Sequence, residues 1–117
     1  MKYVLLFCGT QEAQRAYDAM TPEELGPRLA EVGRWFAEHR GRIVESHQLQ
    51  PPETATTVHH APGGEPMVTD GPFLEGNEVI GGYAVVEVDE LDDALAMARS
   101  WPGGGSVEIR PVVSGVA

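Results

Sequence analysis

The chain has 117 residues, 42% hydrophobic and 22% charged, which fits one domain spanning residues 1–117 and excludes a disordered chain. Its 18 acidic residues outnumber 8 Lys and Arg, a formal charge of -10, so nucleic acid and anionic membrane surfaces are not expected as partners. Cys8 is the single cysteine, no apolar run approaches the ~20 residues that span a bilayer, and Met1–Lys2–Tyr3 leads straight into a strand, so a cytoplasmic protein without internal disulfides is expected.

Tyr3 to Cys8 is continuously apolar and ends at Gly9, which predicts a central strand buried on both faces. A polar connection from Gln11 to Met20 has room for a helical turn. Thr21, Pro22, Glu23 and Glu24 then form a helix start, with Thr21 as cap and Glu24 completing a capping box. Leu25, Leu29, Val32 and Phe36 follow at helical spacing as a core-facing stripe, with Trp35 beside it and Gly41 as the stop. Pro27 removes one helical hydrogen bond, so the helix either kinks there or begins its regular part there.

Arg42 to Leu49 reads as a strand whose odd positions, Ile43, Glu45, His47 and Leu49, share one face. An acid and an imidazole between apolar ends make a candidate site; the ordinary alternative is a solvated edge strand. After Pro51 and Pro52, Thr54 to His60 and Pro66 to Asp70 form a hairpin. His59 and His60 are neighbours on a strand and point to opposite faces, so they cannot share a metal.

Thr69, Asp70, Gly71, Pro72 and Phe73 join the two halves of the chain. Asp70 accepts backbone hydrogen bonds, Gly71 tolerates any dihedral, Pro72 fixes its own φ and Phe73 anchors the turn. This is either a well-made turn or a mount holding the Asp70 carboxylate over a pocket. Asp70, Glu75 and Glu78 offer carboxylates for a divalent cation, but their spacing matches no calcium loop and no metal is expected.

Ile80 to Val88 is a second apolar strand, with Ala84, Val86 and Val88 on one face and Tyr83, Val85 and Glu87 on the other. Asp89 is the expected cap of a helix buried through Leu91, Ala94, Leu95 and Ala98, which ends at Pro102 and Gly103 to Gly105. Ser106 to Val113 closes the chain as a strand carrying Glu108 and Arg110 on one face. Arg110 is either an anion fork or a surface charge paired with an acid.

This order predicts an α+β, ferredoxin-like split βαβ domain. Two helices cover one face of its sheet, so two copies are expected to pair their other faces into a dimeric α+β barrel of eight or more strands around a pocket.

Asp70, Gly71, Pro72 and Phe73, followed by Glu75, Glu78, Gly81, Gly82 and Tyr83 and then by Ser106 to Pro111, resemble the DGPF-domain branch of the YCII-related family. The opening strand and the second helix fit as well. The resemblance implies a dimeric barrel, similar in shape to muconolactone isomerase, small monooxygenases and dehydrochlorinases, and no settled activity. Two departures matter. Gly76 and Asn77 stand where the branch commonly carries Thr and Lys, and Val32, Gly33 and Arg34 replace the helix His that the wider family pairs with an Asp.

Two functions compete. The first is a cofactor-independent isomerase or lyase acting on a small acidic or aromatic molecule, with Asp70 as base or orienting acid, His47 as proton shuttle and Arg110 as anion fork, and with Phe73, Tyr83, Glu75 and Glu78 holding substrate. The second is a non-catalytic small-ligand-binding or accessory protein, implied by the resemblance to companions of extracytoplasmic-function sigma factors. Convergence of Asp70, His47 and Arg110 on one enclosed pocket separates the two.

Overall fold

A computed structural model describes residues 1–73 and 76–114; Leu74 and Glu75 of the acidic loop, and residues 115–117, lie outside the described residues. The elements run β1 (Lys2–Thr10), α1 (Gln11–Asp18), α2 (Pro22–Glu38), β2 (Ile43–Gln48), a 3-10 turn (Pro52–Thr54), β3 (Thr56–His59), β4 (Met67–Asp70), β5 (Glu78–Glu87), α3 (Leu91–Arg99) and β6 (Ser106–Pro111). The main sheet has the order β2-β5-β1-β6, with every pair antiparallel, and β3 and β4 form a separate two-stranded sheet. Each helical crossover therefore leaves one strand's width for the other half to fill. The result is an α+β arrangement consistent with the ferredoxin-like expectation.

The polar connection after β1 is a full helix, capped by Thr10, whose hydroxyl accepts the Ala13 N–H at 3.1 Å. In α2 the capping box is present, with the Thr21 hydroxyl accepting from Glu24 N and the Glu24 carboxylate accepting from Thr21 N. The helix starts at Pro22 and runs through Pro27, so it does not begin at Pro27. The second capping box lies one residue later than Asp89: Glu90 is the cap and Asp93 its partner.

Alternation places Tyr3, Leu5, Ala84 and Val86 on the helix-facing side, where Trp35, Ala94 and Met97 complete a buried core. The Trp35 indole N–H donates to the Met97 carbonyl at 3.1 Å and to the Ser100 hydroxyl at 3.0 Å, tying α2 to the end of α3. Strand β1 is central but buried on one face only. Val4 and Leu6 stay half-buried within one copy because all the packing against the core comes from the other side.

The hairpin β3–β4 stands apart, and Val58, Met67 and Val68 on it are exposed. This gives a radius of gyration of 16.5 Å, against about 13 Å for a compact chain of this length. At the end of the hairpin Gly71 adopts φ +108°, and its N–H donates to the Ala55 carbonyl at 2.8 Å. That backbone conformation is the reason for a glycine in the turn. Among the described residues no helix is long and apolar enough to cross a membrane.

Candidate functional site

The apolar stripe of α2 serves the core only in part, through Phe36, which packs against it. Leu29, Val32 and Phe36 together wall a cavity of about 440 Å³ between α1, α2 and the helix-facing side of the sheet. Phe7 and Trp101 form another wall, their rings 4.2 Å apart, and Trp35 meets Trp101 edge-on at 5.0 Å. The indole of Trp101 folds back over Gly103, where a Cβ would stand 2.5 Å from the ring. Gly103 is thus the small residue that lets Trp101 reach the wall. Ser46 and Gln48, the helix-facing residues of β2, supply hydrogen-bonding groups along with Gln14 and Tyr17 of α1. Among the described residues that line it, Arg28 is the one Lys or Arg, and none is Asp or Glu.

On the opposite face of the sheet three polar side chains meet. A register shift between Ile43 and Glu45 turns Ile43 toward the helices, where it packs against the core, and leaves Glu45 and His47 on the uncovered face. The expectation that Ile43 shares their face is therefore corrected, the bulge having inverted the alternation. The Glu45 carboxylate oxygen Oε2 lies 3.4 Å from His47 Nε2 and accepts the Tyr83 hydroxyl at 3.4 Å. The His47 and Tyr83 rings are 5.7 Å apart. Loss of hydration pushes the Tyr83 phenol above its ordinary range, and the Glu45 charge and hydrogen bond push the same way. His47 and Tyr83 also border the helix-side cavity. Their cross-strand partnership and the buried Ala84 next to them aim their side chains away from it.

The other candidates are scattered within one copy. Arg110 lies on the uncovered face in the row Glu45, Val85, Val4, Arg110, so three strand spacings, about 14 Å, separate it from Glu45. Its Nε donates to Glu108 Oε2 at 2.6 Å, the surface pairing that was one of its two readings. Asp70 ends β4, exposed, and among the described residues its carboxylate has no hydrogen bond or ion pair. Phe73, 77% exposed, and Glu78 border a second groove with Leu49, Pro51, Pro52 and Ile80. Glu75 lies outside the described residues. One copy of the chain does not bring Asp70, His47 and Arg110 together.

Arg28, Trp101 and Gly103 were missed as site residues. Phe36, Val32 and Leu29 were visible as a stripe, but a core stripe and a cavity wall have the same periodicity. The signal that could have separated them is the company of Arg28 next to Leu29 and of three consecutive glycines after Trp101.

A family model of the YCII-related domain matches residues 1–114. An uncharacterized protein of Rhizobium meliloti (strain 1021) is 32% identical over 116 residues, covering 96% of this chain and 92% of that protein. The alignment thus takes in the cavity walls, the uncovered face and the hairpin alike, and the chain belongs to the YCII-related family.

Proposed function

We propose that the helix-side cavity is the working site and that it binds a small acidic or aromatic molecule. The observation that carries this reading is a space of about 440 Å³ walled by Phe7, Phe36 and Trp101, with no acid among its described lining residues in a chain rich in acids. Aromatic walls give a flat ligand area without ordering flexible side chains, and the polar rim of Gln14, Ser46 and Gln48 orients it. Equilibrium dialysis of small aromatic compounds against the full chain tests the site. Saturable binding that is lost in Leu29→Trp, which fills the mouth, is the expected result; binding unchanged by that substitution overturns the reading.

A second reading, acid–base conversion of such a molecule by an isomerase or lyase step, is favoured by the Glu45, His47 and Tyr83 cluster. A carboxylate that accepts a hydrogen bond from the His47 Nε2–H keeps that proton on Nε2 and leaves Nδ1 as the proton acceptor, the usual arrangement of an oriented imidazole base. In this reading two copies pair their uncovered faces into a barrel. That pairing covers Val4, Leu6 and Val85 and closes the space in front of His47 and Arg110. Asp70 joins only if the pairing carries the hairpin there. His47→Gln and Asp70→Asn would then each abolish turnover with the fold intact. Sedimentation showing a lone folded subunit at micromolar concentration removes the chamber on which this chemistry depends.

A further inference from the structure

Resting on the cavity reading above, we propose that the ligand of the helix-side cavity is a carboxylate on a flat apolar body, and that Arg28 recognises its charge.

Arg28 follows Glu24 by four residues, about one helical turn, the spacing at which an acid and an arginine on a helix normally pair. Here the acid is engaged elsewhere. Glu24 Oε1 accepts the Thr21 N–H at 3.3 Å and the Thr21 hydroxyl at 3.0 Å, so the capping box holds it at the start of α2. Among the described residues no carboxylate lies within ion-pair distance of the guanidinium. Its hydrogen-bond partner there is the thioether of Met20, with Nη1 to Sδ at 3.8 Å, and a thioether is a weak acceptor. The fork geometry of a guanidinium suits a carboxylate, which takes two parallel hydrogen bonds.

The surroundings argue in the same direction. Eighteen acids are available to this chain, yet none is found among the described lining residues, so no described carboxylate there would pair with an amine or compete for Arg28. The cavity that Arg28 borders is lined as well by Leu29, by Phe36 two turns (about 12 Å) further along the same helix, and by Phe7 and Trp101 across from them. A ligand with its charge at Arg28 therefore places an apolar, flat body against these walls. A small highly charged anion would leave the apolar walls unpartnered, and a neutral aromatic would leave the guanidinium so.

The test uses the full chain and two probes of the same shape, 2-naphthoate and its neutral amide 2-naphthamide, titrated into wild type, Arg28→Gln and Arg28→Lys. Arg28 is exposed, and a charge pair at an exposed site corresponds to about a two- to fivefold preference for the carboxylate. The expected result is that wild type prefers naphthoate to this extent, that Arg28→Gln removes the preference while leaving naphthamide binding as it was, and that Arg28→Lys keeps part of it. Unchanged naphthamide binding also shows that the variant is folded. Should any variant fail to fold, the dependence of wild-type naphthoate binding on salt decides: a decline absent for naphthamide supports the proposal, and equal behaviour overturns it. Equal affinity of wild type for both probes, unaltered in Arg28→Gln, overturns the charge recognition and leaves the cavity reading standing. Absence of binding for both overturns the two together.

Discussion

Replacing Gly103 by alanine probes the packing that creates the cavity. The glycine lies outside the left-handed region, so the backbone accepts alanine, and the relevant cost is the added methyl against the Trp101 indole at 2.5 Å. That ring cannot swing away freely, because Phe7 lies against one side at 4.2 Å and Trp35 meets its edge at 5.0 Å. Overpacking of this kind costs about 1–3 kcal/mol, while the loss of backbone freedom in the unfolded chain returns about 0.4–1 kcal/mol. The expected net loss is about 1–2 kcal/mol. At about 2.1 cal/mol/K per residue, the chain unfolds with about 0.25 kcal/mol/K, so Tm falls by about 4–8 °C. In a Trp101→Leu background the obstacle is gone, and Gly103→Ala changes sign to neutral or stabilising. Urea unfolding of the four proteins reads this directly. Effects that add within about 0.5 kcal/mol, or a glycine substitution that stabilises the wild type, would refute the claim that Gly103 exists to seat the indole.

Leu5 is completely buried beneath the helices, so Leu5→Ala should cost about 2.7–5 kcal/mol in the same assay with no change in m-value. Thr21→Ala should cost about 0.5–2 kcal/mol through the lost cap. By releasing Glu24 toward Arg28 it should also weaken naphthoate binding more than naphthamide binding. Burial and the nearby Glu108 charge push the Cys8 thiol above its ordinary range. A proton held more tightly in the folded state favours folding fully below the unfolded thiol pKa of about 8.5, and that stability is lost as pH rises through the folded value. Cys8→Ser should therefore lessen the alkaline fall in unfolding free energy, and an identical fall in both proteins contradicts the assignment.

The periodic and capping signals were legible because they are local. Val4, Leu5 and Leu6 make a strand wherever they sit in a sheet, and Thr21 with Glu24 starts a helix by contacts three residues apart. The α+β order followed from these elements and the short connections between them. The site did not, because its groups acquire meaning only from what stands opposite. Glu45 and His47 part from Ile43 through a bulge that depends on pairing with β5. The α2 stripe becomes a cavity wall because Trp35 rather than Leu29 fills the core, and Leu29 is left 49% exposed. Sequence alone determined most of the secondary elements, the Thr21 capping box and the acidic balance, all properties of neighbouring residues. Tertiary structure decided which apolar face is filled and which encloses space, and that Arg28 sits at its rim with no acid partner among the described residues. Those outcomes depend on distances between segments far apart in the chain, and no spacing along the sequence encodes them.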